Sequence, residues 1–190
     1  MLLISQNAGN YDITLPKDTV FRINLAWCNS LKELENKLSK NRNSEFFIDL
    51  PVGRIKPPNN KYTLDEMIPI IQSNPHVKYF AVSNVETKND LKEFLEKLPN
   101  TINIVPKIES PIAIKNIKEI CNSLRIGKKI IMLDHDDLFS SIIRNNEDIE
   151  SFQNYIKKLI DYCEEENILL LRTVGVVFSD DEKRITQYQK

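Results

Sequence analysis

The sequence predicts an α/β fold in which parallel strands and helices alternate to form an incomplete barrel of about seven strands. Three observations lead to this prediction. Short apolar runs alternate with amphipathic segments, the amphipathic segments begin with helix-capping residues, and several runs, such as IIML and ILLL, are apolar throughout. Strands that are apolar throughout are typical of a sheet covered on both faces. Strict alternation of strand and helix favours right-handed βαβ units and a parallel sheet.

Seven apolar runs are the predicted strands: Leu2–Ser5, Val20–Trp27, Glu45–Leu50, Val77–Ser83, Ile102–Val105, Lys129–Leu133 and Ile168–Phe178. The helices between them have recognisable starts. Ser30, Thr63 and Thr87 each stand three residues before an acid, which is the spacing of a capping box. Ser110 precedes a proline at the first helical position. Apolar residues recur at helical spacing through residues 147–166, which predicts a long helix there.

Composition and length give no support to several classes of partner and function. At 190 residues the chain is predicted to form one barrel domain, residues 1–190, whereas a complete eight-unit barrel typically takes about 250. Because Lys plus Arg (26) nearly equals Asp plus Glu (27), no net charge attracts nucleic acid or a membrane surface. Three widely spaced cysteines and the lack of a long apolar stretch predict a cytoplasmic protein. No glycine-rich nucleotide loop or Ser-His-Asp pattern is present.

The segment VPKIESP places two charged residues at the end of a predicted buried strand. Strand side chains alternate between faces, so Lys107 and Glu109 share one face. An ammonium and a carboxylate at a buried strand end are costly unless they meet a substrate, a metal or each other. A simple ion pair at the mouth of the barrel therefore stays open beside a functional site.

A second predicted strand, IIML, runs directly into the acidic segment DHDDL. Glu109 and Asp137, from neighbouring strand ends, supply the hard oxygen ligands that Mg²⁺ or Mn²⁺ prefers. Asp134 and Asp136 are better interpreted as acids that cap the following helix. His135 is interpreted as a hydrogen-bonding loop residue, with acid–base chemistry as the alternative.

A third polar group is predicted at the same rim. FRINLAW places Arg22 and Asn24 on one strand face, and Asp49 ends FFIDL close to Arg54 and Lys56. Arginine binds phosphate or carboxylate through its bidentate fork. Pairing of Arg22 with a carboxylate of the barrel is the alternative.

In their order, these strand ends resemble pyruvate kinase over roughly residues 20–175. The segments that carry the resemblance are FRINLAW, FIDLPVGRIK, KYTLDEMIPIIQSNPHVKYFAVSNVETKNDL, VPKIESPIAIKNIKEI, IMLDHDDL and LLLRTV. The KIE strand followed by the Asp-Leu strand is the most specific part. The resemblance implies a metal-dependent phosphotransferase that acts on phosphoenolpyruvate, pyruvate or a similar small 2-oxo acid. It also implies a requirement for Mg²⁺ or Mn²⁺ and a binding site for K⁺.

The resemblance also implies roles for individual residues. Lys107 would lie against the transferred phosphoryl group, and Thr173 near the position of proton transfer. Arg22 would contact phosphate. The remaining roles are all cation binding: Glu109 and Asp137 would hold the divalent metal, while Asn24 and Asp49 would contribute to the monovalent-cation site. In such chemistry the cations position the reactants and neutralise charge, so protein groups do little covalent work.

Several departures from the family pattern change what is expected. Pro57–Asn60 stand where the family inserts its nucleotide-capping domain, Ala26 replaces a serine, and His135 and Asp136 replace an Arg-Gly pair. The last barrel unit and the C-terminal domain have no counterpart. Without the cap, phosphoryl transfer is expected to be weak or lost. An incomplete barrel exposes strand edges, which a second subunit could cover, so a homo-oligomer is expected.

Two alternatives stay open at this point. Metal-dependent aldolases and citrate lyase-type enzymes share a similar barrel and resemble the chain at IESP and DLFSSI. The chain could therefore be a metal-dependent lyase on the same platform. It could also be a non-catalytic binding or regulatory module that has kept the mouth of the barrel, since a fold does not fix a function.

Overall fold

A computed structural model describes residues 1–5, 19–40, 44–53, 57–125 and 127–172. Its seven strands form one parallel sheet in which every strand pairs with the next along the chain. The strands are β1 (Leu2–Ser5), β2 (Thr19–Asn24), β3 (Glu45–Leu50), β4 (Val77–Val82), β5 (Asn103–Ile108), β6 (Ile130–Leu133) and β7 (Leu169–Arg172). The fold is an α/β fold consistent with an incomplete parallel barrel, as predicted.

Helices connect successive strands from β2 to β7, with seven α-helices in the described residues. They are α1 (Leu31–Lys40), α2 (Leu64–Ser73), α3 (Lys92–Lys97), α4 (Pro111–Lys115), α5 (Ile117–Ser123), α6 (His135–Arg144) and α7 (Ser151–Glu165). Short 3-10 helices at Leu25–Trp27 and Lys88–Leu91 precede α1 and α3. None of the described helices is long and apolar enough to cross a bilayer.

The helix starts predicted from capping residues are confirmed. The Ser30 hydroxyl accepts the Glu33 N–H at the start of α1, and Thr63 and Glu66 form a complete capping box before α2. The Ser110 hydroxyl accepts the N–H of Ala113 before α4. The box at Thr87 opens a 3-10 turn that leads into α3. These caps fix where each helix leaves the carboxyl edge of the sheet.

The carboxyl ends of β2 and β5 differ from the prediction by three residues each, and the other described strand ends agree with it to within one residue. β2 stops at Asn24, because the Asn24 side chain accepts the Ala26 N–H at 3.0 Å and turns the chain into a 3-10 helix. β5 extends to Ile108. The charged Lys107 is buried within this strand, so a prediction that follows apolar runs ends the strand too early. β7 is described only as far as Arg172, so the rest of the predicted run lies outside the described residues.

The sheet has two apolar faces of different size. The larger cluster packs strand residues such as Ile48, Phe80 and Ile108 against helix residues such as Leu34 and Met67. The smaller cluster contains only strand residues and lines the inner face: Val20, Phe47, Ala81, Val105, Ile130, Met132 and Leu171. Because strand side chains alternate, every second residue of each strand faces inward. This inner face leads to the site described below.

Arg125 ties the end of α3 to the following strand. Its guanidinium donates to four backbone carbonyls, those of Leu95, Leu98, Pro99 and Ile102, at 2.7–3.2 Å. We expect Arg125→Met to lower the free energy of unfolding by about 2–3 kcal/mol, because charge-assisted hydrogen bonds are lost. Urea denaturation measures the change, with the exposed Arg144→Met as control. Equal, small effects of both substitutions would contradict this role.

Candidate metal centre

Polar side chains replace apolar ones on the inner face as strands β2 to β6 approach their carboxyl ends. The alternation that buries Val105 also turns Lys107 and Glu109 inward, and both are only 5% exposed. The other strands repeat the pattern, with Phe47 followed by Asp49, Ala81 by Ser83, and Met132 by Asp134. Parallel strands end at the same edge, so these side chains converge at one mouth of the barrel.

Lys107 is surrounded by carboxylates. Its Nζ lies 2.6 Å from Glu109 Oε1, 3.6 Å from Asp134 Oδ2 and 4.0 Å from Asp49 Oδ2. It also donates to the Ser83 hydroxyl at 3.3 Å. Burial alone would lower the pKa of the Lys107 ammonium, but the three carboxylates outweigh burial and raise that pKa above its usual value. Lys107 is therefore a fixed positive charge.

Glu109 is held by its backbone surroundings as well as by Lys107. Its Oε2 accepts the N–H of Asn84 at 2.6 Å. Asn84 has a positive φ of 55°, a conformation that asparagine tolerates better than most residues, and its side chain donates to the Val52 carbonyl at 2.6 Å. Burial raises the pKa of the Glu109 carboxyl above its usual value, although Lys107 and the Asn84 N–H act in the opposite direction.

Three carboxylates come together beside Lys107. One oxygen each of Glu109, Asp134 and Asp137 lies within 4.8 Å of the others. The Asp134 N–H donates to the carbonyl of Ile108 at 3.3 Å, which fixes the end of β6 beside the end of β5. Asp134 Oδ1 in turn accepts the Asp137 N–H at 3.3 Å and caps α6. Glu109 thus follows the end of β5, Asp134 is the N-cap of α6, and Asp137 lies in the first turn of α6.

Arg22 and Asp49 form a pair next to this cluster. Arg22 Nε donates to Asp49 Oδ2 at 3.1 Å, and the Arg22 Nη2 contacts the same oxygen. Asp49 is fully buried, whereas the Arg22 side chain is 23% exposed. Since Asp49 Oδ2 also lies 4.0 Å from Lys107 Nζ, one carboxylate oxygen stands between the two cations.

The structure brings most of the predicted site residues together, and it also contains both ion pairs that stood as alternatives. Lys107 pairs with Glu109, and Arg22 pairs with Asp49. Glu109 and Asp137 share the cluster, as predicted. Asn24 lies beside Asp49 in the strand register, and its side-chain oxygen caps the 3-10 helix. The predicted residue Thr173, together with Arg54 and Lys56, lies outside the described residues.

Asp134 is the residue that sequence reasoning left out of the metal group. It does cap α6, as predicted, but it also belongs to the carboxylate cluster. The signal for this was present in the alternation of β6, because Asp134 stands two residues after the inward-facing Met132.

His135 takes part in a separate contact. Its Nε2 accepts a hydrogen bond from Arg172 Nη2 at 3.0 Å, because a guanidinium can only donate. Burial and the Arg172 charge lower the pKa of His135 below its usual value, against the opposing effect of Asp134 and Asp136. Within the described chain this histidine is a neutral partner of Arg172.

Comparison with protein-family models gives no match, and comparison with curated proteins gives none either. The structure is similar to the crystal structure of RipC from Yersinia pestis, with a TM-score of 0.60 and 13% sequence identity. That similarity covers 98% of this chain and 83% of RipC. At this identity the similarity extends to the fold alone.

Proposed function

We propose that this protein is a divalent-metal-dependent enzyme that acts on pyruvate, phosphoenolpyruvate or a similar small 2-oxo acid. One observation carries the proposal: three carboxylates lie within 4.8 Å of one another beside a buried lysine, at the carboxyl edge of a parallel sheet. Active sites of parallel barrels lie at this edge. The resemblance of the strand ends to pyruvate kinase supplies the substrate class.

The donor set fits Mg²⁺ or Mn²⁺. Glu109, Asp134 and Asp137 offer only carboxylate oxygens, which hard divalent cations prefer over softer metals. A divalent cation bound there would stabilise negative charge that develops on an oxygen of a 2-oxo acid. Lys107 adds a fixed positive charge at the same point, and its burial excludes water from that charge.

A monovalent cation is proposed beside the metal centre, with Asn24 and Asp49 as its ligands. Asp49 Oδ1 is buried and has no hydrogen-bond partner among the described residues, so this oxygen is available to a cation. The choice of K⁺ rests on the pyruvate kinase resemblance. Thr173, proposed near the position of proton transfer, rests on the same resemblance. A homo-oligomer is proposed because an incomplete barrel leaves strand edges for a second subunit to cover. A cytoplasmic location is proposed from the three widely spaced cysteines and the lack of a long apolar stretch.

Phosphoryl transfer is expected to be weak or absent. Strand β3 ends at Leu50 and helix α2 begins at Leu64, so the connection between them has no room for a nucleotide-capping domain. Water should therefore reach the transferred phosphoryl group, and a nucleotide should lack half of its contacts. A coupled assay for ATP formation from phosphoenolpyruvate and ADP measures this activity, with Lys107→Met as control. Turnover in the usual range of about 1–10³ s⁻¹ would contradict the expectation.

A metal-dependent aldolase or lyase is the second candidate, and the charge of the site favours it. Asp134 adds a third carboxylate where phosphoryl transfer needs an excess of positive charge. Release of pyruvate from 4-hydroxy-2-oxo acids, measured with Mn²⁺ and with lactate dehydrogenase, tests this reaction. Metal-dependent binding of pyruvate without turnover in either assay would indicate a binding or regulatory module.

A further inference from the structure

We propose that Asp134 selects against highly charged ligands, so that the site takes a 2-oxo acid with one negative charge in preference to a phosphorylated one. The inference rests on the proposed metal site and names the substrate class within it. It makes Asp134 a specificity-determining residue in addition to a ligand of the metal. Asp134 can have this effect because carboxylates outnumber cations at the mouth of the barrel and because Asp134 lies beside Lys107.

Six charged side chains form one connected group at this mouth. Two cations stand against four carboxylates, so the ionised group has a net charge of −2: Arg22, Lys107, Asp49, Glu109, Asp134 and Asp137. A bound divalent cation would bring the group to neutrality. If Asp134 carried no charge, the same group with its metal would have a charge of +1 and would attract anions.

The two cations are already matched by carboxylates. Arg22 pairs with the fully buried Asp49, and Lys107 contacts Glu109 at 2.6 Å. Asp134 Oδ2 lies 3.6 Å from Lys107 Nζ. Its negative charge therefore partly neutralises the positive charge that Lys107 would otherwise present to a ligand. Its side chain is only 17% exposed, so water and salt screen it incompletely.

Repulsion from one fixed carboxylate grows in proportion to the charge of the ligand. Each additional negative charge on the ligand should therefore multiply its dissociation constant by the same factor. The dissociation constant of a ligand with one negative charge is raised by this factor once, whereas that of phosphoenolpyruvate is raised by it nearly three times over. The site should thus discriminate by charge even among ligands that reach the metal through the same oxygens.

The substitution Asp134→Asn isolates this effect. Asparagine is as good an N-cap as aspartate, so the hydrogen bond from the Asp137 N–H can persist while the charge is removed. Asp136→Asn is the matched control. It makes the same chemical change two residues along the chain, and the Asp136 side chain is exposed and lies outside the carboxylate cluster. Calorimetry measures the Kd of pyruvate, oxalate and phosphoenolpyruvate at a Mn²⁺ concentration that saturates each variant.

We expect the Kd of the wild type to exceed that of Asp134→Asn by a ratio that grows with ligand charge. A constant factor per charge gives a ratio of roughly 3 for pyruvate, roughly 10 for oxalate and roughly 30 for phosphoenolpyruvate. Asp136→Asn should change each Kd by less than about twofold, since its charge is exposed and screened. Ratios that do not depend on ligand charge would overturn the inference and leave the metal site standing. Failure of the wild type to bind Mn²⁺ alone would overturn both the inference and the proposed function.

Discussion

Replacing Lys107 by methionine is expected to lower the free energy of unfolding by about 3–5 kcal/mol, because it leaves buried carboxylates without their counter-charge. Glu109 loses a partner at 2.6 Å, and Asp134 and Asp49 lose one at 3.6 and 4.0 Å. Methionine is close to lysine in length, so little of the loss comes from packing. Urea denaturation in the presence of a chelator measures the change.

Added Mn²⁺ should restore much of that stability. The ammonium of Lys107 and a divalent cation compete for Glu109 and Asp134, so the variant should gain more stability from Mn²⁺ than the wild type does. Lys115→Met is the control, since Lys115 pairs with Glu147 at 3.9 Å and its side chain is 56% exposed. A Lys107 variant as stable as the wild type, or one that Mn²⁺ does not affect, would contradict this description of the charge balance.

Glu109→Gln should weaken Mn²⁺ binding by a factor of about 100 or more. Loss of an outer partner of a metal ligand costs roughly 10–100-fold, and Glu109 is proposed as a ligand itself. Its position is fixed from two sides, by the Asn84 N–H and by Lys107, so no neighbouring side chain replaces it without movement of the strand ends. Isothermal calorimetry with Mn²⁺ and with Mg²⁺ measures the affinities.

The matched control for this experiment is Glu119→Gln. Glu119 lies on α5 and is exposed, so the same chemical change there should leave the metal affinity unaltered. Equal affinities of wild type and Glu109→Gln would remove Glu109 from the metal site. Oxalate binding, measured with and without metal on both proteins, then shows whether the anion depends on the same carboxylate.

The fold could be predicted from the sequence because its signals are local. Apolar runs and capping residues such as Thr63 and Ser110 depend on neighbours within a few positions, and a parallel sheet follows from their alternation. The end of β2 could not be placed in this way. The prediction continued the strand to Trp27, because the hydrogen bond by which the Asn24 side chain caps the following turn is not visible in the sequence.

The site was most directly predictable where one strand and its end carry both partners. Lys107 lies on β5 and Glu109 directly follows that strand, so period-two alternation places both side chains on one face. The contacts of Arg22 with Asp49, and of Glu109 with the Asn84 N–H, join different strands and depend on register. Asp134 was assigned to helix capping alone, because its second role appears only when β6 lies against β5.

A crystal structure of the protein soaked with Mn²⁺ and oxalate would show directly whether the proposed metal centre exists, with the metal located by its anomalous scattering. We predict one strong peak among Glu109, Asp134 and Asp137, within direct coordination distance of a carboxylate oxygen of each. Oxalate should complete the shell on the side of Lys107. An anomalous map without a peak among these three carboxylates would contradict the account.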